Sequence, residues 1–205
     1  MVLTAAVGMI DAVGFIELGG YYTSFMSGNT TQLGAGIAEA VGNLLLPASL
    51  VVLFIIGSFL GSLISGRNER RRMTAVLCLV LFGLALTIAL SALGFSADQA
   101  MLILAASAGA QNAILVPKGT VRLGTTFVTG TLFGVGQDMA RAIRGEAPAW
   151  RWAQHLLVWV ALLVGALLGA LAYGQFQLWA LLVPAAIYLT FLVALLAPGR
   201  SQYQT

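Results

Sequence analysis

Six runs of about 20 apolar residues decide what this chain can fold into: 2–20, 44–66, 73–95, 99–117, 152–174 and 178–197. A helix of that length crosses a bilayer core of about 30 Å. Inside lipid every backbone N–H and C=O must be paired within the protein, which for such runs means helices. Only 8% of the residues are charged, against roughly 25% in a soluble domain. So apolar a chain cannot cover itself with polar side chains. An all-α integral membrane protein is expected, with the lipid bilayer as its solvent. Residues 1–10 carry no basic n-region and no Ala-x-Ala site follows, so no cleavable leader is expected.

Two weaker segments, 27–42 and 128–144, lie between the runs, and they open alike. "SFMSGNTTQLG" fills residues 24–34 and "TFVTGTLFGVG" fills residues 126–136. Both segments carry polar residues such as Gln32, Glu39, Gln137 and Asp138. They are too polar and too short for lipid-facing spans, and read as half-helices lodged in protein. Each follows a Thr/aromatic stretch, Tyr21–Phe25 and Thr125–Val128, that favours extended backbone. The likeness goes further. "GMIDA" at Gly8–Ala12 matches "GAQNA" at Gly109–Ala113, and "GSFLGSLISG" at Gly57–Gly66 matches "GALLGALAYG" at Gly165–Gly174. Three collinear matches indicate an internal duplication, 1–97 and 98–205. Each half then holds a span, a half-helix and two further spans, and the halves together form one membrane domain.

The basic residues orient this arrangement. Arg67, Arg70, Arg71 and Arg72 mark a cytoplasmic loop, because Lys and Arg are retained inside. With six full crossings, and half-helices that enter and leave on one side, all ten basic residues fall in the cytoplasm with both termini. Eight crossings would put Arg141, Arg144, Arg151 and Arg200 outside. Three crossings per half invert the second half relative to the first. Inverted repeats with broken helices at matching positions are the architecture of many secondary transporters.

Inversion aims the two Ser/Thr-Gly turns at each other. The first amides of a helix lack helical partners, and the dipole adds about half a positive charge there. Ser27, Asn29, Thr30 and Thr31, with Thr129 and Thr131, add hydroxyls and an amide, while Gly28 and Gly130 admit a ligand to the backbone. Two such ends facing each other form a polar site for an anion or a solute with a carbonyl. The plainer alternative is that they cap helices and bind nothing. Asp11 lies mid-span, where a carboxylate costs about 3 kcal/mol unless paired or protonated. It either couples a proton or hydrogen-bonds the broken backbone beside it. Its repeat partner is Asn112, next to Gln111, amides placed to orient a solute.

Other polar residues invite simpler readings. Glu17 is expected to reach water at its span's outer end, Asp138 to pair with Arg141 at i+3, and His155 to anchor at the interface. Gly57-x-x-x-Gly61 and Gly165-x-x-x-Gly169 permit close helix approach. Six spans enclose little, so a homodimer is expected. One His and one Cys, Cys78, cannot build a zinc site, and neither a Ser/His/Asp constellation nor a P-loop is present. No enzyme activity, metal, cofactor or nucleic-acid partner is expected.

"GMIDAVGF", "MSGNTTQLG", "QNAILV" and "TTFVTGTLFGVG" resemble the motifs of the YoaK family of bacterial membrane proteins, over essentially the whole chain. Ser27 stands where that family often has Thr, which keeps the hydroxyl. The resemblance implies a multi-pass protein of the bacterial inner membrane and brings no substrate. More loosely, an extended stretch before a half-helix in inverted halves resembles the core of the nucleobase and sulfate/bicarbonate carriers. The expected function is a small transporter for an anion or small polar solute, with Asp11 the candidate for proton coupling. A passive channel and a non-transporting scaffold or sensor are the alternatives.

Overall fold

Helices form where the apolar runs and the two weaker segments predict them. The computed structural model describes residues 1–39, 44–65, 68–112 and 128–197. They form α1 (Val2–Glu17), α2 (Met26–Glu39), α3 (Leu45–Ile64), α4 (Glu69–Ala92), α5 (Ala97–Gln111), α6 (Val128–Ile143), α7 (Arg151–Phe176) and α8 (Leu182–Leu196). A 3-10 turn, Gln177–Leu181, joins the last two. No strand occurs among the described residues. The end of the 99–117 run, Lys118, Arg122 and the stretch from Thr125 to Phe127 lie outside them, as do Arg67 and Arg200.

The chain writes its own helix boundaries. Asn68 caps α4 by accepting a hydrogen bond from the Arg71 N–H, with Glu69 in the first turn against the positive dipole end. Ser96 and Gln99 form a capping box at the start of α5. α1 stops at Gly19 and Gly20, whose φ angles of 63° and 112° only glycine adopts without strain. Arg70 closes the far end of α8: its guanidinium donates to the carbonyls of Leu195 and Ala197, where the dipole is negative.

Three helical stretches are long and apolar enough to cross a membrane: Leu45–Ile64, Glu69–Ala92 and the 46 residues Arg151–Leu196. They take in four of the six expected runs. α1 and α5 are shorter in the described residues, at 16 and 15 residues, or roughly 24 Å of helix at 1.5 Å per residue. α1 is short because its apolar run turns back at the glycine pair instead of continuing as helix.

Two close crossings organise the bundle, α1 on α7 and α3 on α5. A Cβ added to Gly165 would lie 2.0 Å from the Ala5 carbonyl oxygen, and one on Gly57 would lie 1.8 Å from that of Ala106. A Cβ on Gly169 would lie 2.6 Å from the Met9 Cα, as one on Gly61 would lie 2.7 Å from the Ala110 Cα. From the opposite side, a Cβ on Gly8 would lie 2.3 Å from the Leu162 carbonyl oxygen and one on Gly109 would lie 2.1 Å from that of Phe54. Each contact of one crossing has its counterpart in the other at the spacings of the repeated sequence blocks. Helices cannot gain by hiding apolar surface from lipid that is equally apolar, so such small-residue contacts carry the association. α4 and α8 pack against this pair, and Ile10, Val13, Leu50, Val80, Leu84, Leu104 and Tyr188 form the buried core. α2 packs on α3 and α6 on α7.

Candidate functional site

The site begins with the chain doubling back on α1. After Gly20 the backbone runs non-helical through Tyr21–Phe25 before α2 starts at Met26. Gly14 leaves room for this stretch: a Cβ there would lie 2.5 Å from the Thr23 methyl. Non-helical backbone needs partners when buried in a membrane, and three side chains supply them. Asp11 accepts at Oδ1 from the Thr23 hydroxyl at 2.8 Å and the Ser24 N–H at 2.7 Å, and at Oδ2 from the Ser24 hydroxyl at 2.5 Å. Asn29, fully buried, clamps Tyr22 from the other side: its Oδ1 accepts from the Tyr22 N–H at 2.9 Å and its Nδ2 donates to the Tyr22 carbonyl at 2.7 Å. Gln32 donates to the Gly20 carbonyl at 2.8 Å.

Two adjoining cavities lie between this stretch and the start of α6. The larger, about 530 Å³, is bounded by Asp11, Ala12, Phe15 and Ile16 of α1, by Tyr22, Ser24 and Phe25, by Val128 and Thr129, and by Leu162, Ala166 and Ala170 of α7. The smaller, about 220 Å³, is lined by Ser24–Ser27, Phe54 and Val128–Gly130. Ser24, Phe25, Val128 and Thr129 border both. The N-terminal ends of α2 and α6 therefore meet across shared space.

Of the ten residues singled out from the sequence, four border these cavities: Asp11 and Thr129 the larger, Ser27, Thr129 and Gly130 the smaller. The other six do other work. Gly28 backs onto the rings of Phe25 and Tyr22, with Phe25 Cδ1 at 2.6 Å from an added Cβ. Asn29 holds Tyr22, and the exposed Thr30 hydroxyl donates to the Met26 carbonyl within its own helix. Thr131 is buried and borders neither cavity. Gln111 faces a gap of about 10 Å³ beside Thr23, Ser24 and Leu84. The Asn112 amide donates to the Ala108 carbonyl at the end of α5.

The amide end of α2 is also less bare than the sequence predicts. The Met26 N–H donates to the Ser24 carbonyl, and those of Gly28 and Asn29 donate to the Phe25 carbonyl. A tight turn before the helix satisfies groups that an anion would otherwise meet.

A family model described as "Protein of unknown function (DUF1275)" matches residues 1–195. The chain belongs to that family. No curated protein and no solved structure matched it. The matched span takes in every residue bordering both cavities of this DUF1275 member.

Sequence reasoning missed the aromatic corner of the site. Phe15 and Tyr22 stack tilted with centroids 4.9 Å apart, and Tyr22 meets Phe25 edge-on at 5.1 Å. The signal was present in "GGYYTSF", where aromatic residues follow a glycine turn beside Asp11. It also missed how α6 is seated. Asp138, buried on α6, lies 3.2 Å from Arg151 Nε and 3.4 Å from His155 Nε2 on α7, closer than the expected Arg141 at 3.9 Å. Gly134 permits this approach, since a Cβ there would touch the His155 ring at 3.1 Å. Glu17, expected in water, instead accepts a hydrogen bond from the Tyr173 hydroxyl of α7.

Proposed function

We propose that this protein is a small membrane transporter that carries a small polar or charged solute through the space between the α2 and α6 ends. One observation carries the reading: the α2 and α6 ends both border the smaller cavity, which adjoins the larger one across Ser24, Phe25, Val128 and Thr129, and Asp11 and Thr129 give the larger cavity polar groups. A bilayer-embedded bundle that only packed would gain nothing from a cavity of about 530 Å³ beside a mid-span carboxylate. In the same reading the chain crosses the membrane six times as two inverted halves, 1–97 and 98–205. The matched glycine crossings and the repeated sequence blocks support that arrangement. The resemblance to the YoaK family supports the bacterial inner membrane, with both termini cytoplasmic. A homodimer belongs to the reading too, because α2 and α6 leave Ile37, Phe133 and Ile143 exposed.

Alternating exposure would follow from rocking one helix pair against the other, α2–α3 against α6–α7. The test is flux in proteoliposomes. Saturable uptake with counterflow is the expected result. Ohmic current would replace the carrier with a channel, and no flux across a broad panel of small solutes would leave a scaffold.

A further inference from the structure

We propose that the larger cavity takes an organic cation, an amine with an aromatic or aliphatic body, and not an anion. The proposal rests on the transport reading only for its location. The charge argument comes from the walls. Asp11 brings a carboxylate, and no Lys, Arg or His lines the cavity among the described residues. Among the described residues, an anion here would face that carboxylate with no basic side chain to balance it. Of the α2 amides that could have offset it, those of Met26, Gly28 and Asn29 already donate to the Ser24 and Phe25 carbonyls.

The Thr23 hydroxyl and the Ser24 N–H donate to Oδ1 and the Ser24 hydroxyl donates to Oδ2, and the Thr23 backbone adds a further hydrogen bond, so what the carboxylate offers a ligand is its negative charge. Phe15 follows Asp11 by four residues, hence on the same face of α1. Tyr22 and Ser24 both reach the cavity, while Thr23 between them turns toward Gly14. Phe15, Tyr22 and Phe25 thus form a corner of ring faces and edges beside the acid. A carboxylate next to aromatic faces is the chemistry that recognises an ammonium group. The volume, about 530 Å³, suits a body far larger than an inorganic ion.

Three probes of one skeleton separate charge from shape: phenethylammonium, phenylacetamide and phenylacetate. Binding to the purified full chain in detergent is read by calorimetry. Phenethylammonium is expected to bind about tenfold more tightly than the other two. Tyr22→Leu, which keeps bulk and removes the ring, is expected to weaken it severalfold. Asp11→Asn is expected to abolish the preference for the cation. The wild-type ordering decides the matter even if Asp11→Asn fails to fold. Phenylacetate or phenylacetamide binding as tightly as the amine, or no amine binding at millimolar concentration, would overturn the proposal. Amine binding without flux in proteoliposomes supports the ligand class and removes the transport reading. Phenylacetate flux without amine binding does the reverse.

Discussion

Ser24 closes on Asp11 with both of its donors, the backbone N–H at 2.7 Å from Oδ1 and the hydroxyl at 2.5 Å from Oδ2. The two residues stand thirteen apart in sequence, yet the glycine turn lays one beside the other. A side chain of α1 thereby does for Tyr21–Phe25 what a neighbouring strand does in a sheet. The carboxylate that borders the cavity also holds the backbone that shapes it.

Removing that carboxylate should therefore damage the fold before it damages function. Asp11→Ala leaves the buried Thr23 and Ser24 donors without an acceptor, at a cost of about 3 kcal/mol. Asp11→Asn keeps one oxygen for the Oδ1 pair, and its amide can donate to the Ser24 hydroxyl. Thermal unfolding in detergent should show Asp11→Ala lower than wild type by roughly 5–10 °C, with Asp11→Asn in between. Equal melting of wild type and Asp11→Ala would mean that the non-helical stretch does not depend on this acid.

The two helix crossings predict a matched pair of defects. Gly57→Ala and Gly165→Ala each drive a methyl into a backbone carbonyl, at 1.8 and 2.0 Å. The helices must part, at about 1–3 kcal/mol each. Gly174, on the same helix as Gly165, has nothing within 4 Å of an added Cβ. Gly174→Ala should be neutral or stabilising by up to about 1 kcal/mol, through helix propensity alone. Unfolding in mixed micelles of rising dodecyl sulfate content gives the ordering. Similar losses for the first two variants, and none for the third, are expected.

How much of this was legible in the sequence depended on the range of the signal. The half-helix expected at 27 starts at Met26, and the described residues from Val128 to Ile143 are helical where the second was expected, because Gly, Thr and aromatic residues act on their immediate neighbours. The matched glycine crossings were legible for the same reason, since Gly57 and Gly165 recur with their flanking text. Asn29 read as a ligand group, and its clamp on Tyr22 was hidden because it needs the fold-back at Gly20. Gln111 and Asn112 were placed beside the site as counterparts of Asp11. Repeat position fixes where a residue falls along a helix, but not which side the neighbouring helices leave open. Gln111 consequently faces Leu84 and Thr23. Asp138 was matched with Arg141 because i+3 spacing sees one helix only, and Arg151 and His155 arrive from the next.

The seat of α6 follows from that last contact. Asp138 is 3% exposed, and the Arg141 and Arg151 side chains are similarly exposed at 40% and 43%, but Arg141 sits 3.9 Å away and Arg151 3.2 Å. Arg151→Gln removes a closer cation and leaves a buried carboxylate with a weaker partner, at about 2 kcal/mol. Arg141→Gln should cost at most about 0.5 kcal/mol, as for a surface pair. Hydrogen exchange along Val128–Ile143 checks this: faster exchange in Arg151→Gln and a wild-type pattern in Arg141→Gln are expected. The reverse order would place the hold on α6 at Arg141.

The six-crossing topology has a direct chemical test at two acidic residues. Asp98 lies in the first turn of α5 and exposed Glu146 just beyond α6, paired with Arg144 at 2.8 Å. Inverted halves put these positions on opposite faces of the membrane, since one long helix run separates the outer loop before α5 from the inner segment that holds α6. In a Cys78→Ser background, which removes the exposed native thiol, Asp98→Cys and Glu146→Cys are each treated with a membrane-impermeant maleimide. Intact cells should label position 98 alone, and inverted vesicles position 146 alone. Neither substitution touches the cavities, so folding should survive both. Labelling of both positions from one side would mean that the halves are parallel, and the α2 and α6 ends would then enter the bilayer from the same face.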